Sequence, residues 1–455
     1  MGGSLIAGDP NRTWRGAALD SRKVVGGELF FALPGERTDG HRFVGAALER
    51  GAAAAVIQND VEAPVGGALI RVLDTLAALH ALTREARRSV PRHLVAVTGS
   101  TGKTTTKELL ASMLGRRFRV ERSPGNLNNL YGFPVALLGI APETEWMVAE
   151  MGMSRPGELG EVARLGRPDV AVYTNVKAVH LEFFSGLRAI ADAKAELLEG
   201  LAPDGLVVAN ADDPEVVRIS RDHTGRVVWY GLEARSGVDV RAEEVTTAAP
   251  PETGSRFVLI AGDERAAARL PIHGRYNVEN FLAAAACAWA LGVPLDEIVA
   301  AAGESHPVAM RGVLHTLPGG GVLIDDCYNS NPWALARALE SAADLPGGRH
   351  WAVLGSMLEL GPEAGRLHRE AGVRAAGLGF SPVIGVGEPA HDLVAGARAA
   401  GAEAAWYSEA EVAAGPVSER LAAGDVVLVK GSRGVGLEVV VAALAERAGG
   451  GEGRD

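Results

Sequence analysis

From Leu94 onward, short apolar runs alternate with stretches whose apolar residues recur every three or four positions. That alternation is the signature of strands and helices building a parallel α/β sheet. The runs at 94–98, 146–150, 170–174 and 206–210 predict four strands, each ending on a polar residue: Thr98, Glu150, Thr174 with Asn175, and Asn210. Ligands of open α/β sheets sit beyond the carboxyl ends of the strands, so four polar ends predict one crevice. Residues 238–269 read as a β-meander, and after Pro307 a second α/β pattern begins, with buried strands at 322–326, 351–355, 382–387 and 425–430. Ahead of Leu94, strands at 28–33 and 52–57 mix with helices at 43–50 and 74–90, the latter broken by Pro91. A Gly-rich tail closes the chain from residue 448 and reads as frayed.

The first strand of the long series runs straight into Gly99-Ser100-Thr101-Gly102-Lys103-Thr104-Thr105 and a helical pattern. Strand, Gly-rich turn and helix form a phosphate cradle: Gly99 and Gly102 let backbone N–H groups converge, and the helix N-terminus adds its positive end. Lys103 suits the β- and γ-phosphates and the Thr104 hydroxyl suits Mg²⁺. Val97 stands where the standard spacing has its first Gly. A plain tight turn with a solvated lysine is the alternative. Gly-Lys-Thr-Thr directly after a buried strand favours a nucleoside triphosphate.

Glu150 leaves its strand beside this loop, placed to hold Mg²⁺ or to cap the next helix. His180 lies in the loop after the third strand of the series. A helix expected at 190–201 carries the stripe Ile190, Leu197, Leu198 and Leu201, and Lys194 falls inside it. An inward lysine is costly unless paired, modified or snorkelling. Asn277 and Asn280 share one face at the start of an Ala-rich helix, suited to capping it or to bonding a base edge. Ser21, Arg22 and His41 suit a phosphorylated or aromatic ligand but on their own read as surface turn. Lys430-Gly-Ser432-Arg433 either binds an acidic group or forms a tight turn. The Gly-Val-Gly and Gly-Leu-Gly pairs of this region lack the full dinucleotide fingerprint, which argues against NAD.

At 455 residues the chain is long enough for two to four domains of roughly 100–200 residues each. We divide it into a small mixed α/β domain (1–88), a central P-loop parallel-sheet ATPase domain with the meander (89–307) and a Rossmann-like α/β domain (308–455). Hydrophobic and charged contents of 47% and 22% describe a soluble globular protein. No apolar run approaches the ~18 residues of a membrane span, and no secretory pattern opens the sequence. A net charge of −11 without a Lys/Arg cluster argues against nucleic acid. Cys287 and Cys327 lack metal-ligand spacing and read as reduced, buried thiols, consistent with cytoplasm.

Together with Asp20-Ser21-Arg22, Asp39-Gly40-His41, Gly125-Asn126-Leu127-Asn128-Asn129, Lys194-Ala195-Glu196-Leu197, Arg311 and Asp326-Cys327-Tyr328-Asn329-Ser330-Asn331-Pro332, these motifs resemble the Mur ligase family nearly end to end. The resemblance implies three domains, for a UDP sugar, for ATP and for the incoming amino acid or peptide. It implies an amide ligase of peptidoglycan precursor synthesis that activates a carboxylate as an acyl phosphate. ATP would lie on Gly99 to Thr105, with Asn277 at adenine, Asp326 at ribose, Arg311 at the phosphates and Asn280 among the ATP-binding residues. Thr104 and Glu150 would hold one Mg²⁺ and His180 a second, beside a carbamylated Lys194. Ser21, Arg22 and His41 would lie near UDP, while Asn126, Asn128, Asn329, Asn331, Lys430, Ser432 and Arg433 would meet substrate. Tyr328 to Pro332 is similar to the dipeptide-adding branch, whose substrates are UDP-N-acetylmuramoyl-tripeptide and D-alanyl-D-alanine. A cytoplasmic monomer is expected. Two departures are Met310, where Gly is usual, and Ser356, where Asp is common. The rivals are another ligase of the superfamily, of folylpolyglutamate type, and a P-loop switch that needs no acceptor. The first domain speaks against the former, since such enzymes begin at the ATP domain.

Overall fold

A computed structural model describes residues 1–35, 38–62, 67–89, 92–233, 237–248, 252–317 and 320–449. The expected break at Pro91, part of the polar loop before His41, and residues 450–455 of the tail lie outside the described residues. Among the described residues, three sheets organise the chain. The first contains β1 (Ser4–Ala7), β2 (Ala17–Ala18), β3 (Leu29–Phe31), β4 (Ala54–Ile57) and β5 (Leu69–Arg71), in the order β1-β5-β4-β3-β2. Only β1 runs antiparallel to its neighbour.

The second sheet has nine strands: β6 (His93–Thr98), β7 (Val120–Arg122), β8 (Trp146–Glu150), β9 (Val170–Tyr173), β10 (Leu206–Asn210), β11 (Val227–Gly231), β12 (Val240–Ala248), β13 (Gly254–Ala261) and β14 (Glu264–Leu270). Its order is β14-β13-β12-β11-β10-β9-β6-β8-β7, parallel from β7 to β12 and antiparallel through the meander β12-β13-β14. The strand β6 shows why such strands read as unbroken apolar runs. Val95 and Val97 enter the core formed with the helices Lys103–Leu114 and Arg275–Ala290, while Leu94 and Ala96 enter the core on the other face. Period-two alternation therefore puts hydrophobic side chains in both cores. The strands β7 and β11, not expected from the sequence, extend this sheet.

The third sheet joins β15 (Val313–Thr316), β16 (Val322–Asp326), β17 (His350–Gly355), β18 (Val383–Val386), β19 (Ala404–Tyr407) and β20 (Val426–Lys430) in the order β15-β16-β20-β17-β18-β19. All neighbours but the edge pair β15-β16 are parallel. The carboxyl ends of β6, β8 and β9 and those of β16, β17 and β20 open onto one cavity, so two sheets present their ligand edges to the same space.

Two local expectations differ. The segment expected as one helix over 190–201 is an α-helix at Leu187–Ala195 followed by a 3-10 turn at Glu196–Glu199. There the Glu196 carboxylate accepts from the Gly157 and Gly160 amides at 2.7 and 3.1 Å, which ties the turn to the helix Glu158–Gly166. Asn210 does not reach the cavity: its side-chain amide donates to the Thr174 carbonyl at 2.8 Å, so the fourth polar strand end braces the third.

The helix Arg275–Ala290 is the pivot of the central core, with Phe281 fully buried and edge-on to Phe257 at 5.2 Å between centroids. Replacing Phe281 with Ala should cost about 3–5 kcal/mol of stability. Leu73→Ala, at a side chain 98% exposed, should stay within about 0.5 kcal/mol. Urea unfolding of the two variants checks the contrast.

Candidate active site

The glycine loop is built by the strand beside it. Thr174 donates its hydroxyl to the Thr101 carbonyl (2.6 Å), and the Asn175 side-chain oxygen accepts from the Thr101 amide and hydroxyl (both 3.1 Å). The Ser100 amide donates to the Asn175 carbonyl at 2.9 Å. This clamp leaves room only for glycine: a β-carbon at Gly99 would overlap the Thr174 hydroxyl, and one at Gly102 the Asn280 amide oxygen. Both glycines hold positive φ, +148° and +82°, which L side chains rarely adopt. The helix Lys103–Leu114 starts immediately after, and Lys103, Thr104 and Thr105 of its first turn line the cavity.

Lys103 rests its ammonium on the Gly99 carbonyl at 2.9 Å. Burial pulls its pKa down, Glu150 opposes that, and Arg311 adds to it. Glu150, 4% exposed, accepts from the Thr104 hydroxyl and the Asn128 amide, each at 2.8 Å. A hydroxyl and a carboxylate this close form an oxygen donor pair suited to a hard divalent cation. Behind them lies Lys107, which the sequence reading passed over. It is fully buried and donates to the Ser123 and Gly125 carbonyls at 2.6 and 3.2 Å, while Ser123 accepts the Glu150 backbone amide at 3.1 Å. The cue was a second lysine one turn into an amphipathic helix, on its inward face.

Lys194 is 3% exposed and lines the same cavity as Lys103, Glu150 and His180. Burial drives its pKa well below the ordinary lysine range, and the charge of Lys103 pushes the same way. Among the described residues no carboxylate pairs with it, and no three His, Cys, Asp or Glu side chains gather as a metal cluster. A carboxylate formed on this amine would add the donor that the set lacks.

The C-terminal part supplies the opposite wall of this cavity of about 590 Å³. Arg311 stacks over the Tyr328 ring at 4.0 Å and donates to the Thr104 hydroxyl at 3.3 Å, crossing between the two sheets. Its buried Nε has no partner among the described residues. Asp326 pairs with Lys430 at 2.7 Å, and Lys430 also donates to the Asn329 carbonyl at 2.9 Å. Burial pushes the Asp326 carboxyl up, with Lys430 opposing it. Asn277 donates to the His273 carbonyl (2.7 Å) and Asn280 to the Asn277 side-chain oxygen (3.1 Å), so the two amides bond each other, not the helix end. Asn331 caps the helix Pro332–Ala343 through the Ala334 amide at 2.9 Å. Ser432 accepts the Leu358 amide at 3.0 Å, and Arg433 reaches Glu438 at 3.2 Å. Asn126, Asn128, Asn329 and Arg433 also line the cavity, as do Trp333, Arg337, Glu279 and Glu359, which were not foreseen. The strand-end rule applied to β17 points at the loop containing Glu359.

His180 and Glu359 pair across the cavity, Nδ1 to Oε2 at 2.5 Å, and both hold positive φ, +55° and +61°. The His180 hydrogen bond holds the Glu359 carboxyl below its usual range. The N-terminal candidates lie elsewhere: Ser21, Arg22 and His41 do not line this cavity. Arg22 forks onto Asp20, a hydrogen bond that takes the Asp20 carboxyl down to about 2. His41 is buried, with Nε2 accepting the Gln58 and Asn59 amides at 3.0 and 3.2 Å and Nδ1 on Asp39 at 2.6 Å.

Three family profiles match the chain: the Mur ligase middle domain over residues 97–288, the Mur ligase glutamate ligase domain over 310–433, and the Mur ligase family catalytic domain over 14–87. The chain is 34% identical over 435 residues to the UDP-N-acetylmuramoyl-tripeptide--D-alanyl-D-alanine ligase of Bacillus subtilis, covering 95% of this chain and 93% of that one. It is 33% identical to the enzyme of the same name from Escherichia coli, covering 94% and 93%. Among solved structures, MurF from Acinetobacter baumannii superposes with a TM-score of 0.83 at 30% identity, covering 94% and 93%. MurF ligase from Thermotoga maritima, in complex with ADP, gives 0.83 at 28%, covering 97% and 100%.

The close quarters at Gly99 give a direct test. Gly99→Ala should weaken binding of an ATP analogue by about tenfold or more while leaving far-UV circular dichroism unchanged, since the Thr174 contact and the backbone both resist a side chain there. Fluorescence titration with a labelled analogue measures it.

Proposed function

The chain belongs to the Mur ligase family, and on that premise we propose that it joins D-alanyl-D-alanine to UDP-N-acetylmuramoyl-tripeptide with cleavage of ATP to ADP and phosphate. The observation that carries this reading is Lys194: a buried amine without a carboxylate partner among the described residues, in one cavity with the phosphate loop, Glu150 and His180. The reaction belongs to peptidoglycan precursor assembly, in the cytoplasm, with the enzyme acting as a monomer.

A free carboxylate is a poor acylating group, and an amine will not displace its oxygen. Transfer of the γ-phosphoryl group to that carboxylate makes an acyl phosphate. The amine of the dipeptide then adds to the carbonyl carbon, and the tetrahedral intermediate expels phosphate, leaving an amide. In-line phosphoryl transfer asks the protein mostly for positioning and for neutralised charge. The amides of Gly99 to Thr105 cradle the phosphates, and Lys103 moves from the Gly99 carbonyl to the phosphate oxygens. Arg311 brings a second cation from the C-terminal side, already in contact with Thr104. Asn277, Asn280 and Asp326 lie at the nucleoside end.

Thr104 and Glu150 would hold one Mg²⁺, and His180 with Lys194 a second. These ions would draw charge from the phosphate oxygens during transfer. Carbamylation needs the neutral amine, and burial, with Lys103 adding to it, shifts Lys194 in that direction. The modified side chain is then an anion where an unmodified ammonium would repel Lys103. Asn126, Asn128, Asn329, Asn331, Lys430, Ser432 and Arg433 shape the path of the tripeptide and the dipeptide. Ser21, Arg22 and His41 serve the UDP end from the first domain.

Two experiments test the reading. With Mg²⁺, ATP and the UDP-linked tripeptide, phosphate release should depend on added D-alanyl-D-alanine; equal release without the dipeptide overturns the ligase assignment. Incubation with ¹³C-bicarbonate should give a carbamate carbon signal in the wild type that is missing from Lys194→Ala. That variant should lose turnover, with partial return on adding a short-chain carboxylic acid. Full activity of Lys194→Ala would refute the role given to this residue.

A further inference from the structure

The contact between His180 and Glu359 joins the central part of the chain to the C-terminal part, and several features hold it. The Glu182 amide donates to the Glu359 carbonyl at 3.3 Å, a second bond between the same two loops. A β-carbon at Gly361 would stand 3.1 Å from the Glu182 α-carbon, so the loops lie backbone against backbone. Glu359 itself is fixed from both sides, by the Leu358 amide on Ser432 and by Leu360, 2% exposed. His180 and Glu359 both occupy the left-handed region without being glycine, a conformation kept only where surrounding structure imposes it.

The other carboxylates of the cavity are engaged differently. Glu150 takes Thr104 and Asn128, Asp326 takes Lys430, Glu158 takes the Ser154 and Arg155 amides, and Glu279 lies 3.8 Å from Arg337. Glu359 is directed at an imidazole nitrogen. A carboxylate on Nδ1 fixes the tautomer with its proton there and leaves Nε2 as the free lone pair. A histidine so held is oriented to offer Nε2 to a cation.

We propose that Glu359 is a positioning residue by which the C-terminal unit completes the second divalent-cation site, holding His180 so that Nε2 faces the cavity. The inference rests on the reading of His180 as a cation ligand. Its consequence is that this site reaches full affinity only when the acceptor-binding unit sits against the central one. Binding of the cation and the approach of the acceptor unit are then linked, which ties activation of the carboxylate to the presence of the machinery that receives it.

The test is Mn²⁺ binding, read by the electron paramagnetic resonance signal of free Mn²⁺ during titration of full-length protein saturated with β,γ-imido-ATP. Wild-type protein should bind two ions. Glu359→Ala should weaken one of them by about 10–100-fold and leave the other unchanged. Glu359→Gln, whose amide oxygen still accepts from Nδ1, should lose less. His180→Ala should weaken the same ion, and the double variant H180A/E359A should be no worse than H180A alone. Thermal unfolding of each variant reports that it is folded. Wild-type affinity for both ions in Glu359→Ala overturns the proposal, as does a double variant that loses the sum of the two single effects. A single Mn²⁺ in the wild type overturns it too. Failure of dipeptide-dependent ligation with this Mn²⁺ pattern intact would sink the functional reading and leave the positioning role standing.

Discussion

Two lysines, Lys103 and Lys194, line one cavity, and the rest of the site answers to that fact. Burial disfavours the charged form of Lys194, and Lys103 disfavours it further. Unpaired buried charge is among the most expensive features a fold carries, so such a pair persists where an anion will occupy the space between. A triphosphate supplies that anion for Lys103. For Lys194, the carboxylate proposed on its own nitrogen would supply it from within the chain. Either way the enclosure is built for more negative charge than its own side chains contain around these two amines.

Charge placed so tightly needs walls that do not yield. The glycine loop is held from the β9 side by Thr174 and Asn175, and from below by Asn280 against Gly102. Glu150 is held by Thr104, Asn128 and, through Ser123, by the buried amine of Lys107. Lys107 thus does for the loop at 123–125 what a backbone ladder does for a strand: it satisfies carbonyls that no neighbouring strand reaches. These bonds make the donor positions a property of the scaffold, which is what a site working by electrostatic preorganisation requires.

Much of this was written in local sequence. The strands 146–150 and 206–210 fall where the apolar runs put them, and the glycine loop sits at the strand–helix junction that its spacing demands. Lys194 was conspicuous because a cation interrupts an apolar stripe, a signal that needs no knowledge of the partner. What escaped notice depends on residues far apart in the chain. Glu359 meets His180 across 179 positions, and Arg311 meets Thr104 across 207. No window of sequence contains such a pair. Asn331 lines the cavity and also caps a helix, a second task that Asn before Pro at a helix start performs and that the sequence reading did not assign to it. The 3-10 turn at Glu196–Glu199 escaped for the same reason as Glu359: Glu196 bonds amides near 157–160, outside its own helix.

The division of labour among the three units follows from where their sheets end. The central sheet contributes the phosphate loop and the oxygen donors, the third sheet contributes Arg311, Asp326, Lys430 and Glu359, and neither edge alone encloses the cavity. Met310 shows how firmly the joint is set. It holds φ +62°, its carbonyl accepts the Tyr328 amide at 3.2 Å, and its sulfur receives Arg433 at 3.4 Å, so the turn that aims Arg311 keeps its shape against the cost of a side chain. In the first unit the balance is different. Both ring nitrogens of His41 are spent on Asp39 and on two backbone amides, leaving the imidazole no free polar atom for a ligand. His41 thus holds in place the loops of Asp39 and of Gln58 and Asn59.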